Sequence, residues 1–157
     1  MTQFSGNRFD EIVVRLDAIV ASPHAALVAA ATVVADELLG IGEIILEMWL
    51  AAHGKVPTSR TVEGFRLLAL HRQGAQGDAS FNACRETCRE LVYHRNLVCL
   101  DPGHRETAQR LRLGAMVARH LALFIGGKLE VAGLGEFCCS SRPLRRDEHA
   151  AKNGVNP

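Results

Sequence analysis

Residues 24–53 read HAALVAAATVVADELLGIGEIILEMWLAAH. Within them Leu27, Ala31, Val34, Leu38, Ile41, Ile45, Met48 and Ala52 recur at alternating spacings of four and three. That is the stripe by which one helix packs against others. Val33, Leu39, Ile44, Leu46 and Trp49 widen the apolar arc beyond a two-helix seam, so this helix must be largely surrounded. The fold class follows: all-α, a single-domain bundle of about five helices around a long central second helix. Ser22-Pro23 supplies the N-cap and the first helical residue, because proline needs no donor there and its φ is already helical. Gly54 supplies the left-handed stop. Gly40 and Gly42 each cost roughly 1 kcal/mol against Ala in a helix interior, which points to a kink or to a close crossing with a neighbour.

Working outward, the spacing predicts a first helix from Ser5 to Ala21, with Phe9, Ile12, Val13, Leu16, Ile19 and Val20 on one face. A third helix is expected over Thr58 to Arg72, with Val62, Phe65, Leu68 and Ala69 inward. A loop follows from Gln73 to Asp78. The fourth helix runs from Ser80 to Asn96 with Phe81, Cys84, Cys88 and Leu91 on one face, and Leu97 to Leu100 reads as a short extended piece. Asp101-Pro102 repeats the start signal for a fifth helix reaching Ile125, with Leu113, Val117, Leu121 and Phe124 inward and Gly126-Gly127 as its end. Lys128 to Phe137 suits a short hairpin or a turn of helix. From Ser140 the chain is polar and charged, so the bundle domain is placed at 1–139 and a mobile tail at 140–157.

The composition is that of a globular chain: 157 residues, 48% apolar and 22% charged. Only 5% of the residues are aromatic, so the core must be aliphatic. The net charge of +1 hides an asymmetry. Residues 1–54 carry two basic and seven acidic residues, whereas residues 55–157 carry sixteen and ten. The halves should attract each other within one fold or across a dimer; the alternative is a basic face for an anionic partner. Fifteen of the eighteen basic residues are Arg, the type suited to bidentate phosphate contacts. The start holds Asp10 and Glu11 and no basic patch followed by an apolar run. The longest uncharged stretch, Ala18 to Ala35, contains Ser22, Pro23 and His24 and is a poor membrane span. No membrane partner is expected. The five cysteines are odd in number and uneven in spacing, which reads as reduced thiols in a cytoplasm.

Cys84 and Cys88 stand one turn apart, so both thiols could meet one ion. A tetrahedral zinc site would draw further ligands from His94, His104, Cys99, Cys138 and Cys139. The spacing fits no common zinc motif, and the place of both cysteines on an apolar stripe favours core packing. Cys138-Cys139 precedes an Arg-rich stretch whose cations would lower a thiol pKa, but nothing fixes a base or a resolving cysteine. Glu43 with Glu47, and Glu86, Glu90 with His94, recur at intervals of four. A two-metal bundle site uses Glu-x-x-His instead, so these read as salt-bridged surface. The other histidines, His24, His53, His71, His120 and His149, are scattered and read as helix-end or surface residues rather than ligands.

Two helices followed by an extended piece over Thr58 to Leu100 resemble a winged helix-turn-helix, in which Arg85, Arg89 and Arg95 would meet phosphates or base edges. The long loop after Arg72 and the neighbouring Glu86 and Glu90 count against it. Gly126-Gly127-Lys128 lacks the earlier Gly and the following Ser or Thr of a phosphate loop. No cofactor motif, catalytic motif or identifiable reaction emerges. The expected role is association, with a protein partner or with a second copy of itself. Nucleic-acid binding is the alternative, and a metal- or thiol-dependent activity of the cysteines comes third.

Overall fold

The computed structural model describes residues 7–133. Among them the chain is all-α: α1 (Asn7–Ala21), α2 (His24–Ala29), α3 (Ala31–Ala52), α4 (Arg66–Ala75), α5 (Arg85–Leu100) and α6 (Thr107–Ala132), with a 3-10 helix at Ala79–Cys84. The expected tail at 140–157 and Cys138-Cys139 lie outside the described residues.

The long stripe is buried as its spacing requires. Leu38 is 4% exposed and Ile45 is fully enclosed. The stretch is nonetheless two helices rather than one, because Ala30 leaves helical geometry at φ −112° and ψ 23°. Hydrogen bonds still cross it: Ala30 N donates to Ala26 O at 3.2 Å, and Val34 N donates to Ala30 O at 2.9 Å. Alanine is the best helix former, so nothing local breaks the helix here; packing of α2 on α6 overrides propensity. Gly40 and Gly42 produce no break. Gly42 marks the close crossing instead, since a Cβ there would stand 3.0 Å from Leu91 and 3.1 Å from Leu67. The helix ends as expected, with Gly54 at φ 71° and Lys55 N donating back to Leu50 O at 2.9 Å.

The expected third helix begins at Arg66 rather than Thr58, about two turns late. Residues 55–65 are not helical. A tight reversal at Glu63-Gly64 (φ 54° and 84°) pairs Val62 with Phe65, and α4 starts only after it. Gln73 on α4 fastens this segment by donating to Val56 O and accepting from Thr58 N, each at 2.8 Å. The expected loop from Gln73 shrinks accordingly, because α4 continues through Gly74 to Ala75.

Leu97 to Leu100 is the last turn of α5, not an extended piece. Asp101-Pro102 opens a series of turns, and α6 begins at Thr107. Gly126-Gly127 does not end α6. Gly133, at φ 71°, does, its N–H donating to the carbonyls of Leu129 and Glu130. The inward face of α6 is also rotated from the expected one. Leu111, Ala115, Ala118, Ala122, Ile125 and Leu129 are buried beside Leu121, whereas Leu113 is 41% exposed. α6 packs against α1, α3 and α5, and α3 against α4, α5 and α6, so the core is shared between α3 and α6.

The charge asymmetry closes within the chain. Asp17 meets Arg119 at 3.0 Å, Asp36 meets Arg95 at 3.1 Å, and Glu43 and Glu47 meet Arg66 at 3.4 and 3.1 Å. Each acid comes from the first 54 residues and each base from beyond. Exposed pairs of this kind are worth about 0–1 kcal/mol each, so they orient the helices more than they hold them. Among the described residues no helix is long and apolar enough to cross a membrane.

Candidate functional site

α4 is a short helix wedged between α3, the 3-10 helix and α5, so Leu67, Leu68, Ala69, Leu70 and His71 are all buried. This draws an imidazole inside. His71 stacks on the Phe81 ring with centroids 5.3 Å apart, and its Nε2 donates to the Phe81 carbonyl at 3.0 Å. Cys84 Sγ donates to the same oxygen at 3.1 Å. The sequence face Phe81, Cys84, Cys88 and Leu91 is therefore buried as expected, and His71 joins it from another helix.

Proton affinities within this cluster are mutually set. The Cys84 thiol falls from 9.0 to about 6, chiefly because Cys88 donates a hydrogen bond to it and secondarily through His71. Cys88 is pushed up, because its proton is held in the bond to Cys84 and burial adds to that. Burial pulls His71 down, but its bonds to Cys84 and to the Phe81 carbonyl outweigh this and raise it. Cys84 is 2% exposed, so the packed fold shields its thiol from electrophiles in solution.

His94 does not join the cysteines. It turns toward α6, its Cβ 3.6 Å from where a Cβ on Gly114 would stand. Cys99 is a half-buried free thiol. Among the described residues no three His, Cys, Asp or Glu side chains converge on a point that could hold a metal. Glu43 and Glu47 clasp Arg66, and Glu86 and Glu90 are exposed.

Of the arginines singled out for nucleic acid, Arg95 stands apart, bonded to Asp36 and lying over the Phe65 ring. Arg85 and Arg89 line a cleft of about 280 Å³ together with Arg72 and His71, neither of which the sequence had singled out. Glu63 reaches the same place and pairs with Arg89 at 3.0 Å. With Leu97 to Leu100 helical, the wing of the helix-turn-helix reading is gone.

Acidification is expected to weaken the fold through His94. Its Nδ1 is buried without a hydrogen-bond partner among the described residues. Burial is the main cause that lowers its pKa; Glu90 opposes and Arg110 adds. Below the unfolded value of 6.5 the unfolded chain therefore takes the proton first. The contribution is full above that pH and is lost as pH falls through the folded value. Urea midpoints at about pH 7.5 and about pH 5 should separate more for the wild type than for His94→Leu. An equal separation would show that His94 is not the sensitive group.

The second feature is the outward face of α6. Gln109, Leu113, Met116, His120, Leu123, Gly127 and Val131 follow one another at spacings of three and four. Met116, Leu123 and Val131 are 55%, 53% and 78% exposed, and the face carries no Asp, Glu, Lys or Arg. The arginines beside it turn away, Arg112 to Ser22 O at 2.9 Å and Arg119 to Asp17. Comparison with known protein families, with characterised proteins and with solved structures gives no match, so these two features carry the functional argument.

Proposed function

We propose that this chain acts by association with a second copy of itself, through the outward face of α6. The observation that carries this reading is the uncharged stripe from Gln109 to Val131 on a helix whose opposite side is fully used by the core. A solvated helix face ordinarily carries charges. This one instead repeats apolar residues at the interval of a helix–helix seam. A contiguous exposed apolar patch on an otherwise packed helix marks an association site.

A copy of the same chain fits the stripe because the stripe is matched to itself. An antiparallel pairing about His120 sets Met116 against Leu123 and Leu113 against Gly127, large against small. That arrangement is closed and two-fold, the commonest form of soluble oligomer. A standard interface covers roughly 800 Å² per partner. The stripe would supply its apolar centre, and the half-buried Val117 and Phe124 beside it would extend it. Attraction between the oppositely charged halves is not needed, since it is satisfied within one chain.

Light scattering at micromolar concentration should give the mass of a dimer. Leu123→Glu should halve that mass while leaving the helical signal intact. Val14→Glu, at an exposed apolar residue of α1, should leave it unchanged. A wild-type chain of strictly monomeric mass would refute the reading.

A further inference from the structure

The cleft beside His71 has a charge balance that its own residues do not close. Arg72 lies in the last turn of α4, Arg85 begins α5, and Arg89 follows one turn later. All three face one concavity of about 280 Å³. Arg89 is paired with Glu63, whereas neither Arg72 nor Arg85 has an ion-pair partner among the described residues. Isolated surface arginines are ordinarily solvated and need no explanation. Three converging on a concavity, with two left unpaired, do.

Glu63 supplies an independent observation. It is the only non-glycine with positive φ among the described residues, at 54°. Such a conformation is strained for a residue with a side chain and is kept where surrounding structure demands it. Here the turn delivers the Glu63 carboxylate to Arg89, which lines the cleft. The protein thus places an anion of its own beside a guanidinium that two further cations adjoin.

The geometry points to this cleft as a binding site for a small phosphomonoester dianion, held by Arg72 and Arg85, with Arg89 passing from Glu63 to the ligand. Two unpaired guanidiniums match two negative charges, and the planar fork of Arg is suited to phosphate oxygens. Val62, Leu68 and Ala75 give one wall an apolar surface for a compact organic body, and the amides of Gln76 and Asn82 can meet its polar groups. The volume lies at the small end for ligand pockets. Glu86 and Glu90 adjoin the two α5 arginines in sequence, which disfavours an extended polyanion along that helix.

Phenyl phosphate, inorganic phosphate and benzoate, each titrated calorimetrically into the full chain in chloride buffer, test this. Phenyl phosphate should bind saturably at one per chain. Arg72→Gln and Arg85→Gln should each weaken it by about tenfold or more. Glu63→Gln should tighten it several-fold, because Arg89 loses its internal competitor. Arg105→Gln, an exposed arginine outside the cleft, should change nothing. Absence of saturation, or an equal loss with Arg105→Gln, would overturn the site. Benzoate binding as tightly as phenyl phosphate would overturn the dianion. Inorganic phosphate binding as tightly as phenyl phosphate would overturn the ester. Affinity for a single-stranded oligonucleotide that rises with its length would replace the small ligand by a nucleic acid.

Discussion

Phe81→Ala should cost about 3–5 kcal/mol, a large part of the roughly 5–15 kcal/mol that holds an ordinary domain together. Phe81 is fully buried where α3, α4 and α5 meet. Its ring lies 5.1 Å from the Trp49 ring and 5.3 Å from that of His71. Its Cε1 would stand 2.6 Å from a Cβ on Gly74, so α4 passes as close to the ring as a backbone can. Deleting the ring opens a cavity between the rings of Trp49 and His71 and the backbone of Gly74. Lys128 lies over the far side of Trp49 at 5.2 Å and would leave its pairing with Asp78 to follow the ring inward. Trp49 is the only tryptophan, so denaturant unfolding followed by its fluorescence reads the site directly. A loss below about 1 kcal/mol would show that the three helices collapse onto the vacated space. Gly74→Ala should also destabilise, despite the better helix propensity of Ala, because the ring cannot move away.

The part of the fold legible from sequence is the part whose apolar residues are large and regularly spaced. The buried sides of α1 and α3 follow from the sequence, since Leu16, Ile19, Leu38 and Ile45 each mark them, although the single helix expected over 24–53 divides at Ala30. α6 was misread for the opposite reason. Its core face is built largely of Ala115, Ala118 and Ala122, whose small side chains let α1, α3 and α5 approach closely. Of the expected inward residues, Leu121 is fully buried, Val117 and Phe124 are half-buried and Leu113 is exposed, so weighing residues by size turns the face part of the way round the helix. The spacing Leu111, Ala115, Ala118, Ala122, Ile125 and Leu129 is the usable signal. The late start of α4 had no such signal. Val62 and Phe65 fall at helical intervals from Leu68 and Ala69, but the bonds of Gln73 with Val56 and Thr58, of Arg66 with the Thr58 carbonyl, and between Val62 and Phe65 hold the segment out of a helix.

The candidate sites divide in the same way. Cys84 and Cys88 share a helix face, so their burial follows from local spacing. His71 reaches them from another helix, and the arginine cleft is assembled from Glu63, Arg72, Arg85 and Arg89 on three separate segments. Contacts made by the packing of α4 against α5 leave no trace in one chain's periodicity.

Leu38→Ala should cost about 2–5 kcal/mol and should invert the effect of a second substitution. Leu38 is 4% exposed at the junction of α3 with α5 and α6, among Ala35, Leu91, His94 and Leu111. Its Cδ1 lies 3.2 Å from where a Cβ on Gly114 would stand. In the wild type, Gly114→Ala therefore meets Leu38 too closely, and the strain offsets the roughly 1 kcal/mol by which Ala is the better helix former. In the Leu38→Ala background that space is empty. The added methyl then fills part of the cavity and the propensity gain is realised. Gly114→Ala should be neutral or destabilising alone and stabilising by about 1 kcal/mol or more in the double variant. The four proteins of this cycle, unfolded in urea under one set of conditions, measure the coupling. Additive effects would mean that α3 and α6 do not meet at these two residues, and the shared core between them would have to be redrawn.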